Sequence, residues 1–199
     1  MMHPACELRW LDDEIGYGVF AKEPIARGTI TYARDPFDQA ISADEIARLP
    51  EVLRAPIEHY AFVLADGTRI LCWDSGRFVN HSCEPTCRGL GPDYEVAVRD
   101  IAANEQVTSD YAELNIMTSF VCRCGSRACR GGVGPGDLAR IGAAWDALVA
   151  SVVPLLSEVP QPLWPLVREP ELLLEAAAGR RPLQPRSSYF FSKLRELSA

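Results

Sequence analysis

Two stretches decide the fold: Arg-Phe-Val-Asn-His-Ser-Cys-Glu-Pro at residues 77–85, and Cys-Arg-Cys-Gly-Ser-Arg-Ala-Cys at residues 122–129. The second stretch offers three thiols from one tight loop. A structural zinc takes four ligands in a tetrahedron, so a fourth thiol must come from elsewhere in the chain, and the first stretch contains one. We therefore predict one closed, structural zinc ion. Its predicted ligands are Cys83, Cys122, Cys124 and Cys129.

The remaining cysteines fit other roles. Cys87 is a rival for the fourth ligand position, whereas Cys6 and Cys72 read as core or stray thiols. Seven cysteines in a chain without a visible secretory signal favour metal binding over disulfides. A cysteine-based redox protein is a weak alternative, because the cluster lacks a Cys-x-x-Cys pair beside a helix start.

Three further motifs stand in order around these stretches. Gly-Tyr-Gly-Val-Phe occupies residues 16–20, Ala-Arg-Gly-Thr residues 26–29, and Glu-Gln-Val-Thr-Ser-Asp-Tyr residues 105–111. Together the motifs closely resemble the SET-domain protein lysine methyltransferases with a post-SET zinc-binding cysteine cluster, over roughly residues 5–133. The resemblance implies an enzyme that uses S-adenosylmethionine to methylate a lysine side chain of a protein.

The resemblance also implies the fold class. This is mostly β with α: a SET-like β-clip fold of short strands with a pseudoknotted C-terminal motif, plus a helical C-terminal appendage. The sequence agrees on the short strands. Asp66 and Gly67 separate two apolar runs, as in a hairpin, and residues 94–99 alternate with period two.

Helices are expected in an insert and after the cysteine cluster. Ser42 and Glu45 form a capping-box pattern at the start of a short, broken helical insert over 42–59. Later helices are predicted to begin near 137, to cover 170–178 and to run over about 187–197. The predicted domains are 1–118 (SET-like catalytic domain, insert about 38–60), 119–136 (post-SET zinc loop) and 137–199 (helical C-terminal extension).

The residues expected to bind the cofactor are Gly16, Tyr17, Gly18, Arg77, Asn80 and His81. Glycine has no Cβ, so Gly16 and Gly18 would allow the backbone to approach a ligand closely, or would simply form a turn. Asn80 offers an amide donor and an acceptor, which suit the cofactor's ammonium or adenine. His81 would bond the adenine or brace its loop, and Arg77 would face the cofactor or the solvent.

Tyr111 is the expected catalytic residue. In the resemblance, its hydroxyl lies beside the point of methyl transfer and orients the amine; the alternative is a core tyrosine with a bonded hydroxyl. Tyr32 and Tyr60 are expected to line the lysine channel, or else to pack in the core. Nothing in the sequence indicates a dedicated general base.

Ser109 departs from the family pattern. The family usually has Phe or Tyr at this position, two residues before the catalytic tyrosine, and that ring limits the room around the amine. A serine here either widens the substrate channel or leaves space that another aromatic fills. If the space is open, we expect the enzyme to proceed to di- or trimethyllysine.

The net charge and the lengths of the apolar runs indicate which kinds of partner the protein binds. The net charge of −7 disfavours direct nucleic-acid binding and suits a basic protein or peptide substrate. We expect no membrane partner, because no apolar run approaches the length that spans a bilayer. The oligomeric state is not predicted. The expected location is cytoplasmic for a bacterial protein, or nuclear for a eukaryotic one.

Two alternatives stay open at this point. The first is a non-catalytic, zinc-stabilised SET-like module that binds a protein or peptide. Ser109 and the slim segment Gly132–Gly134, where the family often has a bulky residue over the cofactor, favour it. The second concerns the C-terminal helices, which either close the cofactor site, for instance through Trp145, or serve dimerisation or stability.

Overall fold

The computed structural model describes residues 1–190, and most of its regular structure is short strands. The strands are β1 (Cys6–Asp12), β2 (Gly16–Ala21), β3 (Ile30–Ala33), β4 (Gln39–Ile41), β5 (Phe62–Val63), β6 (Arg69–Leu71), β7 (Asn80–His81), β8 (Cys87–Leu90), β9 (Tyr94–Ala97), β10 (Gln106–Ser109), β11 (Phe120–Val121) and β12 (Gly132–Val133). The α-helices are α1 (Ala43–Arg48), α2 (Glu51–Tyr60), α3 (Asp137–Val152) and α4 (Pro170–Ala177). The predicted mostly-β fold with a helical C-terminal part is confirmed.

The strands form four small sheets, in the orders β1-β2-β10-β7, β3-β9-β8, β4-β6-β5 and β11-β12. In the first sheet, β7 runs parallel to β10, with Thr108 opposite Asn80 and Ser109 opposite His81. This pairing places two motifs that are far apart in the sequence side by side. It is the juxtaposition that a pseudoknotted motif requires, and the threading itself stays a prediction.

The insert folds as its local signals indicate. Ser42 caps α1 through a capping box, because its hydroxyl accepts the Glu45 amide and Glu45 in turn accepts the Ser42 amide at 2.8 Å. Pro50 then separates α1 from α2. The predicted hairpin is also present, since Gly67 adopts φ +90° between β5 and β6.

The C-terminal part packs on the β3-β9-β8 sheet and completes its core. Gln161 bridges the start of β3, because its Oε1 accepts the Ile30 amide at 2.9 Å and its Nε2 donates to the Gly28 carbonyl at 2.8 Å. Val152, Val153, Leu156 and Leu163 are buried in one cluster with residues of β3, β8 and β9. Part of this segment therefore belongs to the core, and its role in closing the cofactor site stays a prediction.

Two details of the C-terminal part differ from expectation. The segment Asp137–Ser157 is long and apolar enough to cross a membrane by length and composition, contrary to our estimate, and 33% of its most apolar window is buried inside the protein. Near the C-terminus, a 3₁₀ turn covers Arg186–Tyr189, and the rest of the helix predicted over 187–197 lies outside the described residues.

Candidate active site and metal centre

A pocket of about 460 Å³ opens beside the paired motif strands. Its walls come from β3, β5, β9 and β10, from the segment that precedes β7 and from the loop that follows β10. Four residues that the sequence singled out for a substrate channel and for catalysis line this one pocket: Tyr32, Tyr60, Ser109 and Tyr111. The fold thus brings them together, although their roles stay predictions.

Tyr111 is held from two sides. Its hydroxyl donates to the Val79 carbonyl at 2.9 Å, and its backbone N–H donates to Nδ1 of His81 at 3.2 Å. Burial, and to a lesser degree the negative charge of Glu95, raise the pKa of Tyr111 to about 12. The hydroxyl is therefore neutral near pH 7 and fixed in direction, with its lone pairs left to accept a hydrogen bond.

Tyr32 and Tyr60 occupy different depths of the pocket. Tyr32 is 6% exposed, and its hydroxyl donates to Oδ2 of Asp38 at 2.6 Å. Burial raises its pKa above the ordinary range. Tyr60 ends α2 and is 38% exposed, with its ring 5.4 Å from the ring of Phe78. Tyr32 thus forms an inner wall, and Tyr60 lies at the mouth.

The Ser109 hydroxyl contacts a carboxylate. The Ser109 Oγ lies 2.6 and 2.7 Å from the two carboxylate oxygens of Glu95, which comes from β9 and lines the same pocket. A carboxylate is thus the group that the Ser109 hydroxyl contacts. The expectations of a wider pocket and of one closed by another aromatic both stay predictions.

The two glycines of the first motif act differently. At Gly18, an added Cβ would lie 2.6 Å from Gln106 Nε2 and 3.1 Å from Asn80 Nδ2, so glycine is needed for the packing of the protein's own side chains. Gly16 adopts φ +81°, and a Cβ there would have no atom within 4 Å. The space beside Gly16 is therefore open.

Asn80 and Tyr17 tie the second motif to the first. The Asn80 amide donates to the Tyr17 carbonyl at 2.9 Å, which leaves its oxygen as the acceptor that it can offer. The Tyr17 ring is 44% exposed and lies 5.5 Å from the ring of Phe78. Arg77 instead donates to the Trp73 carbonyl at 2.6 Å while lining the pocket of Tyr111, so it also braces its own loop.

His81 stands in a group of three rings. Its ring centroid lies 5.5 Å from that of Tyr111 and 5.7 Å from that of Phe120, whose side chain is 38% exposed. Phe120 comes from β11, which pairs with the slim segment at β12. Sequence reasoning missed Phe120, because an isolated phenylalanine before the cysteine loop carries no motif.

The cysteine cluster brings two distant loops together. The side chains of His81, Cys83, Cys122 and Cys124 offer ligand atoms that all lie within 4.8 Å of one another, a group that could hold a metal ion. Cys129 is adjacent, since its sulfur lies 3.7 Å from that of Cys122. Three of the four predicted ligands are thus in this group and the fourth touches it, while His81 is an additional candidate.

The other cysteines lie outside this group. Cys87 is fully buried in the core, where Thr31 donates to its sulfur at 3.2 Å, so the structure does not place this rival ligand at the cluster. Cys72 packs in the same core, and burial raises the pKa of both thiols to about 12. Cys6 is partly buried beside them. All seven cysteines are free.

Asp110 connects the tyrosine loop to the cysteine loop. Its side chain is fully buried and accepts two hydrogen bonds from the Arg130 guanidinium, at 2.8 and 2.7 Å. Arg88 lies 3.7 Å away on the other side, while Arg130 also approaches Asp137 at the start of α3. Asp110 therefore braces the loop of Tyr111 and does not serve as a free base.

A prediction follows for Arg130. Replacing Arg130 with Met should leave a buried carboxylate without its main partner and lower the free energy of unfolding by about 3 kcal/mol. Urea denaturation measures this. The matched control, Arg54→Met, removes the partner of the exposed Glu51 and should change stability by less than about 1 kcal/mol. Equal effects of the two variants would contradict the bracing role.

Residues 16–112 match a known protein family. A family model described as the SET domain matches residues 16–112. Residues 16–112 are a SET domain. The match begins at Gly16 and ends one residue after Tyr111, so the SET domain contains the cofactor and channel candidates, while the loop of Cys122, Cys124 and Cys129 follows it.

Relatives of this SET domain are named histone-lysine N-methyltransferases. The ash1 protein of Drosophila melanogaster is 33% identical over 139 residues, which is 63% of this chain and 6% of that protein. An H3 lysine-4 specific enzyme of Candida albicans is 33% identical over 131 residues, 58% of this chain and 12% of its own length. ASHH2 of Arabidopsis thaliana is 28% identical over 144 residues, covering 65% and 8%. The chain thus spans a small part of each relative.

Trp145, which the sequence suggested as a cover over the cofactor site, is buried. Trp145 is 2% exposed and packs in a cluster with Cys83, Cys122, Val133 and Leu138. The Arg88 guanidinium lies 5.3 Å from its ring. Trp145 is thus a core residue, and its burial leaves the ring no exposed face for a cofactor.

Proposed function

We propose that this protein is an S-adenosylmethionine-dependent protein-lysine N-methyltransferase. The observation that carries the proposal is the position of Tyr111. Its neutral hydroxyl is fixed on the Val79 carbonyl inside a pocket with aromatic walls, directly beside the parallel strands of the two central SET motifs. The SET domain match and the names of the relatives support the same class of activity.

The bound cofactor would supply a sulfonium-activated methyl group, held near Gly16, Tyr17, Asn80 and His81. The fit rests on the open space at Gly16 and on the Asn80 amide oxygen, which suits an ammonium donor. Phe120 and the exposed ring of Tyr17 offer flat faces suited to the adenine. These groups bind and orient; none of them needs to change its charge during transfer.

The lysine amine has to be neutral to react. An ordinary lysine has a pKa of about 10.4, so a depression of roughly three units, about 4 kcal/mol, makes it competent near pH 7. Burial among Tyr32, Phe62 and Tyr111 disfavours the ammonium, and a neighbouring positive charge on the cofactor does so as well. The Tyr111 hydroxyl then accepts an N–H of the amine and directs its lone pair.

We further propose that the metal ion is one structural zinc with four thiolate ligands. Sulfur atoms that bind one zinc at about 2.3 Å in a tetrahedron lie about 3.8 Å apart. Cys122 lies 3.7 Å from both Cys83 and Cys129, close to that value, and Cys124 completes the set.

Hydrogen bonding argues against His81 as a ligand. Its Nδ1 accepts the Tyr111 amide, so the proton of the neutral ring is on Nε2, which faces Cys83 sulfur at 3.4 Å. A metal-bound nitrogen carries no proton. His81 therefore donates to a thiolate ligand, and through its other nitrogen it positions Tyr111.

The substrate is proposed as a lysine in a basic protein segment. The relatives' names refer to histones and, in several cases, to lysine 4 of histone H3. The net charge of −7 favours a partner rich in lysine and arginine over a nucleic acid. We also propose the cell compartment, which is the cytoplasm for a bacterial protein and the nucleus for a eukaryotic one.

The test is methyl transfer from radiolabelled cofactor to histone H3 and, in parallel, to a cell lysate, followed by mass spectrometry of the labelled proteins. We expect label on lysine.

The second candidate, a non-catalytic binding module, is favoured by Ser109 in place of a ring and by the slim β12 segment. Tight cofactor binding without any labelled protein would support that candidate and contradict catalysis.

Tyr111→Phe removes one hydroxyl and keeps the ring. We expect the rate at saturating substrate to fall at least roughly a hundredfold, about 2.7 kcal/mol, because the amine loses its aligned acceptor. Cofactor affinity should change little. Tyr94→Phe is the matched control, since Tyr94 lines the same pocket while its hydroxyl bonds to the backbone of Arg168. If Tyr111→Phe weakens cofactor binding at an unchanged rate, Tyr111 serves binding and not chemistry.

A further inference from the structure

Glu95 and Ser109 come from different sheets and meet at the wall of the pocket. Ser109 ends β10 and is 3% exposed, and Glu95 lies on β9. The Ser109 Oγ is 2.6 and 2.7 Å from the two carboxylate oxygens, so its single proton is shared between them. The result is a carboxylate held in direction by a buried hydroxyl, on a wall shared with Tyr111.

We propose that Glu95 is a specificity-determining residue that binds the N–H groups of the substrate amine and stops methylation at dimethyllysine, with Ser109 as its positioning residue. The proposal rests on the proposed function and names a property of the same site. It differs from a purely steric limit, because the wall at this point is an acceptor with a negative charge.

The number of N–H groups decides the argument. In each transfer, the amine nitrogen forms a bond to the methyl carbon while the carbon–sulfur bond breaks, the sulfonium becomes a thioether, and the nitrogen takes the positive charge. A proton then leaves to water before the next transfer. With its lone pair turned to the methyl carbon, a neutral lysine amine keeps two N–H groups, a methylamine one and a dimethylamine none. The third transfer would place methyl groups against a carboxylate without a donor.

The charge of Glu95 has a second effect. It attracts the incoming ammonium and favours its protonated form, whereas the positive sulfonium acts on the amine in the opposite sense. Glu95 also occupies volume that a small Ser109 would otherwise leave open. Both effects hold the amine close to the Tyr111 hydroxyl, so the first transfer benefits while the last is hindered.

The experiment compares product multiplicity at exhaustive turnover, by mass spectrometry, on histone H3 and on any protein labelled in the lysate. The wild type should give mono- and dimethyllysine only. Glu95→Leu, which removes the acceptor at similar size, should add trimethyllysine. Glu95→Gln keeps an acceptor oxygen and is the matched control, so its products should stop at dimethyllysine. Ser109→Ala should give a partial shift, and melting temperatures report whether each variant folds.

A binding measurement serves where turnover is low. With the demethylated cofactor product present, the wild type should bind a dimethyllysine peptide of the labelled sequence at least roughly tenfold more tightly than its trimethyllysine form. Glu95→Leu should reduce this ratio to less than about threefold. A Glu95→Leu variant that does not fold leaves Ser109→Ala and the wild-type binding ratio to decide.

The outcomes separate this proposal from the function on which it rests. Trimethyllysine from the wild type, or a product distribution that Glu95→Leu leaves unchanged, would overturn the role of Glu95 while the methyltransferase function stands. No transfer by the wild type to any protein would overturn both.

Discussion

Removal of the metal should lower the free energy of unfolding by an amount on the order of 10 kcal/mol, as for small zinc modules. Native protein should contain one zinc per chain, and X-ray absorption should show four sulfur neighbours. On chelation, we expect the cysteine loop and the start of α3 to detach first, because Cys83, Cys122, Val133 and Trp145 share one cluster. Tryptophan fluorescence reports this step, and cofactor binding should be lost with it.

Variants of single cysteines sharpen the test. Cys129→Ser should reduce zinc content and stability, whereas Cys72→Ser, a core thiol outside the cluster, should leave zinc content unchanged. A fully stable protein without zinc would contradict the structural metal. Three sulfur neighbours and one nitrogen would instead make His81 the fourth ligand and Cys129 an outer residue.

Truncation after Gly136 should abolish folding and not merely weaken cofactor binding. The removed segment contributes six buried apolar side chains to the cluster on the β3-β9-β8 sheet: Val149, Val152, Val153, Leu156, Leu163 and Val167. At about 1.5–3 kcal/mol for each, their loss is on the order of 10 kcal/mol. This is comparable with the whole stability of a typical domain, about 5–15 kcal/mol. Circular dichroism of the truncated chain checks the result.

Point variants keep the same question open to measurement if the truncated chain is insoluble. Leu156→Ala, at a side chain 2% exposed, should cost about 2–5 kcal/mol. Leu174→Ala, at a side chain 41% exposed, should cost less than about 1 kcal/mol. A truncated protein that melts like the full chain but binds cofactor weakly would restore the role of a cover over the cofactor site.

Local signals predicted much of the fold. The capping box at Ser42, the hairpin turn at Gly67 and the helix over 170–178 each depend on a few neighbouring residues, and each is found within a residue of where the sequence indicated. The helix at 137 was also expected, although Asp137 is its first residue and not its cap. Its Oδ2 accepts the Gly134 amide at 3.0 Å instead.

Tertiary contacts decided what the sequence could not show. Glu95 is an unremarkable charge in an alternating strand, and only the meeting of β9 with the end of β10 makes it the partner of Ser109. Trp145 looked like an available ring on an apolar helical face, but that face is covered by the cluster around Cys122. The cysteine spacing predicted the metal cluster. The position of His81 beside that cluster follows from the pairing of β7 with β10.

The parallel pairing of β7 with β10 bears on how the chain reaches its native state. Parallel strands require a crossover, and here the residues of each pair are 28 positions apart, as for Thr108 and Asn80. The bond between Ile30 and Gln161 spans 131 positions. Contacts between distant positions close large loops, and the chain loses the entropy of loop closure before these contacts stabilise it. Folding should therefore be slow, in the range of about milliseconds to seconds. Because the core around Ile30 is completed by residues up to Val167, a nascent chain cannot finish that core until those residues have left the ribosome.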